Sequence, residues 1–201
     1  MFYAIDGASD LPKLTEFTKP SSLKDKIIRK LGKPIITAGD VHPGDVAPVM
    51  ALSRSGRITV FPMVWGVPNR GLTQYQMSAE VASRIFPESW AARRCVILSS
   101  YYYQKPDDPE NSNLYAVQPK GSFVCYMAGL YVLPEDGFPH FLIISRKASE
   151  DTENLASHMP VVITETSHWL DLGYSPERIL RQKPPRMIYV RARVQGRPYY
   201  A

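Results

Sequence analysis

Cysteine is scarce: the 201 residues hold only Cys95 and Cys125. Each sits in an apolar run, RRCVIL and SFVCYM. Two such thiols read as small buried hydrophobes, and they leave no CxxC zinc motif. Nothing calls for a disulfide, so a reducing compartment fits, and the chain is expected to be cytoplasmic. No apolar run reaches about eighteen residues, so no membrane-spanning helix is expected. The opening MFYAIDGASDLPK lacks a basic stretch followed by an apolar one, which argues against a signal peptide. P-loop, GxGxxG, HExxH and GxSxG motifs are all missing. The histidines are His42, His140, His158 and His168. None has a partner at metal-ligand spacing except a loose His168–Asp171 pair, which reads as an exposed helix turn. No metal and no cofactor is expected. A cysteine hydrolase needs an accessible thiol beside a histidine, and both thiols fall inside predicted strands.

What is present suits one domain over 1–201. Hydrophobic residues at 44% allow a sizeable core, and 21% charged residues speak against global disorder. The net charge of +5 is compatible with a polyanionic partner without proving one. Eighteen prolines are spread along the chain and mark turns.

Residues 9–32 read as helical. Ser9 or Asp10 is a cap for a first helix with Pro12 in its first turn. Ser21 or Ser22 caps a second, LKDKIIRKLG, whose apolar face is Leu23, Ile27, Ile28 and Leu31, with Gly32 at the C-cap. Strand signals then dominate. A His-Pro-Gly turn leads into VAPVMAL, and RITVFPMVWG follows a Ser55-Gly56 turn, with Pro62 marking an edge or bulge. Residues 79–93 read as helix broken at Pro87. The segments 94–104, 122–133 and 140–146 read as strands of an antiparallel meander, with a polar loop at 105–113. A short helix is expected over 149–158, then a strand from VVIT and helices near 166–172 and 176–182. The closing RMIYVRARVQGR alternates, with Ile188, Val190, Ala192 and Val194 on one face and Tyr189, Arg191 and Arg193 on a basic outer face. The order lacks βαβ regularity, so the class is α+β.

Several segments, in order, resemble the SRAP family, the SOS response-associated peptidase domain often described as sensing abasic sites in single-stranded DNA. Tyr3-Ala4-Ile5-Asp6 is similar to its first strand, and ITAGDVHPGDVAPVM to its stretch ending in Ala-Pro-Val. Met63-Val64-Trp65-Gly66 before Pro68 resembles its Met-x-Trp-Gly segment. Ala79-Glu80 falls on its Asn-Ala-Arg-Ser/Ala-Glu-Thr motif, and Arg93-Arg94-Cys95 with Tyr102-Tyr103 on its Arg-Arg-Cys and Tyr-Glu strands. Ala128-Gly129-Leu130, Met159-Pro160-Val161 and Trp169-Leu170 match later motifs. The resemblance implies a mixed, mostly antiparallel β-sheet or open-barrel core with flanking helices.

In that family a cysteine exposed by methionine removal supplies both nucleophiles. Its α-amine forms a Schiff base with the abasic aldehyde and its thiol closes a thiazolidine, with an Asn, a Glu and a His around it. Here those positions hold Phe2, Gln76, Gln104 and Ala156. Gln104 has the shape of a glutamate but carries neither its charge nor its proton. Ser78 stands for the motif arginine and His158 for a second one.

Three readings follow. The first is a non-catalytic protein that binds single-stranded or abasic-site DNA. Its groove would include Trp65, Ser78, Glu80, Arg94, His158, Met159 and Pro160, with Trp65 stacking on a base and Arg94, Arg191 and Arg193 meeting phosphates. The plainer reading of Trp65 is a core tryptophan, and of the arginines, solvated edge residues. The second is an altered enzyme on the same scaffold, in which the Met1 amine keeps an imine route. The third is an interaction protein presenting Tyr101-Tyr102-Tyr103 or the 105–113 loop. No membrane partner is expected.

Overall fold

The computed structural model describes residues 1–6, 14, 22–135 and 137–192, apart from the side chains of 22, 23 and 26. The Ser9, Asp10, Pro12, Ser21 and Ser22 caps and the expectations for Leu23, Arg193 and Val194 lie outside them. The first described helix is α1 (Ser22–Leu31), with Asp25 early and Arg29 and Lys30 late, as the helix dipole favours. Gly32 follows at φ +64°, its N–H donating to Ile28 O, so the expected glycine C-cap is present.

The strands in chain order are β1 (Phe2–Ile5), β2 (Gly39–Val41), β3 (Val46–Leu52), β4 (Ile58–Trp65), β5 (Val67–Asn69), β6 (Leu72–Gln74) and β7 (Gln76–Ser78). After helices α2 (Ala79–Ile85) and α3 (Pro87–Ala92) come β8 (Arg94–Ile97), β9 (Tyr101–Gln104), β10 (Tyr115–Pro119), β11 (Met127–Val132), β12 (His140–Lys147) and β13 (His158–Pro160). Helices α4 (Thr166–Leu170) and α5 (Pro176–Arg181) and strand β14 (Met187–Arg191) complete the order. The fold is α+β, mostly antiparallel, with few helices.

Strands β11-β8-β3-β4-β12 pair in sequence, and β12 pairs again with β11, so the ladder closes into a five-stranded barrel. Strands β7 and β13 extend it beside β12. Pro48 and Pro62 face each other across β3 and β4. Val64, two residues on, turns its N–H away from β3 to Pro139 O. By strand alternation the missing Pro62 N–H points the same way, before the β4–β12 ladder begins at Val64. Gly129 is needed where β11 passes β8 and β12: an added Cβ would sit 2.5 Å from Ile97 Cδ1 and 2.8 Å from Leu142 O.

A second sheet has the order β14-β10-β9-β1-β2. The run 94–104 therefore does not form one strand. It changes sheets at Leu98-Ser99-Ser100, where Ser100 N–H bonds Ala4 O and Ser99 O accepts from Cys125 N–H. Ser100 Oγ accepts from Asp6 N–H at 2.9 Å. The two serines satisfy backbone groups that a continuous ladder would have paired.

Other expectations are corrected. Residues 149–158 form successive turns rather than a helix, with Thr152 and Glu153 N–H both bonding Ser149 O. The next strand is His158–Pro160, before VVIT rather than within it. The strand expected from 122 begins at Met127, so Cys125 is buried outside any strand. Tyr115–Pro119 is a further strand, between the 105–113 loop and the strand expected from 122. On β14 only Met187 is buried; Ile188 and Val190 are exposed, because the strand lies at the sheet edge. No described helix is long and apolar enough to cross a membrane.

Candidate functional site

Strand β1 lies between β2 and β9, so its side chains meet aromatic neighbours on both faces. Tyr3 is fully buried and turns toward the barrel, 5.2 Å from the Trp65 ring. Phe2 takes the opposite face by strand alternation. Its ring stacks on His42, centroids 4.6 Å apart at 24°, and on Tyr103, 4.2 Å apart at 29°. Phe2 is 6% exposed, whereas His42 and Tyr103 are half-buried. Three antiparallel strands thus place a His42–Phe2–Tyr103 stack where the resemblance puts a cysteine. Burial, then hydrogen bonding to Tyr101, pushes the Tyr103 phenol well above its ordinary range.

Gln104 follows Tyr103 and donates Nε2–H to Lys105 O at 2.8 Å. Next to this corner, burial lowers the Met1 amine below its ordinary value, and Lys105 lowers it further.

The remaining positions sit beside β12. Gln76 pairs with Ile143 and Ser78 with Ser145, which on its other side pairs with Pro160. Met159 pairs with Arg146 and His158 with Lys147. Ser78 is the N-cap of α2, its Oγ accepting from Val81 N–H. Glu80, in the first turn of that helix, is exposed and pairs with Arg84 at 3.0 Å.

Asp107 links the two groups. Its N–H donates to Leu155 O at 3.1 Å, and its carboxylate accepts from Ser157 N–H at 2.6 Å. Ser157 Oγ is 3.1 Å from His158 Nδ1. The bonds from Ser157 hold the Asp107 carboxyl below its ordinary range, and His158 adds to the effect. Asp107 read as one polar loop residue among many; only its contact across fifty positions gives it a role.

Four residues expected in a groove are buried instead. Trp65 is 1% exposed, with Nε1–H donating to Tyr75 O at 2.9 Å and its ring parallel to Phe141. No face is left for a base. Arg94 is 3% exposed and donates to Tyr174 O and Asp171 O at 2.8 and 2.6 Å. Its guanidinium lies 5.8 Å from the Trp169 ring and fastens the turn between α4 and α5, so it meets no phosphate. Met159 and Pro160 are also buried, in the β12–β13 ladder. His158, Glu80 and Arg191 are exposed, Ser78, Gln76 and Gln104 half-buried, and Ala156 buried.

Both thiols are buried and free. Burial raises the Cys95 thiol well above its ordinary range and pushes Cys125 up to about 12. Neither is a thiolate near neutrality. Among the described residues no three His, Cys, Asp or Glu side chains gather to hold a metal ion.

The fold has solved relatives. A phage-related protein from Bordetella bronchiseptica superposes with a TM-score of 0.68 at 14% identity, covering 96% of this chain and 93% of that one. A second Bordetella bronchiseptica protein gives 0.63 at 13% identity, covering 85% and 96%. A Bacteroides thetaiotaomicron protein gives 0.62 at 18% identity, covering 92% and 88%. No curated protein matches by sequence. The family model for SOS response associated peptidase (SRAP) matches residues 17–194. The chain therefore belongs to the SRAP family.

Proposed function

We propose that this SRAP-family protein binds single-stranded or abasic-site DNA and does so without the cysteine crosslink or autopeptidase chemistry. The observation that carries the reading is the stacked, buried Phe2 ring in the cysteine's place. A phenyl ring offers no thiol to close a thiazolidine. Gln104, Gln76 and Ala156 offer no proton-transfer group at the other three positions. Membership of a DNA-damage-associated family supports the DNA partner. The exposed His158 beside Lys147, and the exposed Arg191, supply contacts to phosphate.

Fluorescence anisotropy with a single-stranded oligonucleotide, with and without one abasic site, tests the binding. Affinity should fall steeply as salt rises. Denaturing electrophoresis of the same mixtures should show no covalent adduct. An adduct with the abasic strand in the absence of reductant would overturn the loss of crosslinking. Absence of binding at low salt would favour a protein-interaction role instead.

The lowered Met1 amine supports a second reading, imine formation without the thiol. Borohydride decides it. An adduct seen only after reduction assigns the imine, and no adduct removes it.

A further inference from the structure

A small cavity lies between the end of β12 and the segment joining α5 to β14. Its volume is about 100 Å³. Val162, Ile163, Ile179, Pro184 and Pro185 give it apolar walls. Its polar lining is Arg146, Lys183, Gln182, His168, Thr164 and Glu165.

Arg146 is the unusual member. It is half-buried and donates Nη1–H to Gln182 O at 3.1 Å. Among the described residues no carboxylate lies within 4.0 Å of it, in contrast to Arg84, Arg93 and Arg186. A guanidinium has five N–H donors, so most of them are uncommitted among the described residues. Burial lowers its pKa, and no acid offsets that cost. Lys183 brings a second positive charge with no carboxylate of the described residues within 4.0 Å. The His168 ring, part of the lining, stacks on Tyr174 at 5° with centroids 4.6 Å apart. Glu165 is the one acid in the lining.

Size narrows the ligand. The cavity is small. It is well below the roughly 300 Å³ where sites for drug-sized molecules begin. A sugar or base is too large, whereas a tetrahedral oxyanion is not.

We propose that this cavity binds a small oxyanion, either inorganic phosphate or the end of a phosphomonoester, through Arg146 and Lys183. The site is independent of the proposed DNA reading, because none of its lining residues belongs to the corner around Phe2 and Gln104.

Calorimetric titration of the full chain with inorganic phosphate, against chloride at equal ionic strength, tests it. One saturable site is expected. Arg146→Met should weaken it at least about ten-fold, the scale of one lost charge-assisted hydrogen bond. Lys183→Met should weaken it less, and Glu165→Gln should tighten it. Arg57→Met, at a distant exposed turn, should leave it unchanged. A 5′-phosphorylated dinucleotide that binds more tightly than phosphate, with no binding of its 5′-hydroxyl counterpart, assigns a phosphomonoester end. Equal affinities assign the free anion. No saturable binding up to about 10 mM phosphate, the millimolar edge of useful affinity, overturns the proposal. So does an unchanged affinity in both folded variants, Arg146→Met and Lys183→Met.

Discussion

The barrel and the five-stranded sheet use aromatic and polar side chains for different ends. In the barrel strands, Trp65 and Arg94 are buried and donate to backbone carbonyls: Trp65 to Tyr75, Arg94 to Asp171 and Tyr174. Trp169 does the same, its Nε1–H reaching Cys95 O at 2.9 Å and docking α4 on β8. In the five-stranded sheet, Phe2 lies between two half-buried aromatic rings, and the Gln104 side chain donates to its own neighbour's carbonyl. The difference separates two kinds of family motif. Those that hold the barrel together are kept in this chain. Those that the resemblance places around a reactive cysteine fall here on Phe2, Gln76, Gln104 and Ala156.

Substitutions make that separation measurable. Trp65→Ala should cost about 3–5 kcal/mol in urea unfolding, the usual range for an aromatic removed from a packed core. A loss under about 1 kcal/mol would put Trp65 outside the core and restore it to a surface role. Arg94→Met should cost about 2–3 kcal/mol, because it strands two carbonyls that now accept from a charged donor. Arg94→Lys should recover little, since a single ammonium does not reproduce a fork that spans both carbonyls. Phe2→Cys should cost about 2 kcal/mol through the lost ring contacts. A cost near zero would mean that the corner tolerates the family's residue and that the stack contributes no stability.

Two smaller effects sharpen the picture. The Asp107 carboxyl is held below its ordinary range, so it favours the folded state above that range. Its contribution fades as pH falls through the ordinary value toward the lowered one. Exchange of the Ser157 amide proton should quicken over that acid interval relative to unprotected amides, and Asp107→Asn should flatten the change. Equal pH dependence in both proteins would remove the Asp107 tether. Glu80→Gln should shift stability by less than about 0.5 kcal/mol, because the Glu80–Arg84 pair is exposed on both sides.

Much of the fold was legible in order and type. Pro87 broke the 79–93 helix into α2 and α3 because proline fits a first helical turn and not an interior. The glycine cap at Gly32 and the strands around Pro48, Pro62 and His140 were equally clear. Less was legible where a segment changes partners. RCVILSSYYYQ has uniform strand propensity, and nothing in that pattern marks Ser99-Ser100 as a corner between two sheets. Residues 149–158 carry helical composition, yet Asp107 and the β12–β13 ladder hold their end in turns. The phosphate-sized cavity was invisible, since Arg146 and Lys183 are far apart in sequence and ordinary as single residues.

The sequence by itself determined the α+β class and the family. It did so because turn chemistry, strand alternation and motif order are local properties of the chain. Tertiary structure alone decided which motif residues face solvent. Burial depends on what packs from elsewhere: Tyr3 and Phe141 against Trp65, the α4–α5 turn against Arg94, and His42 and Tyr103 against Phe2.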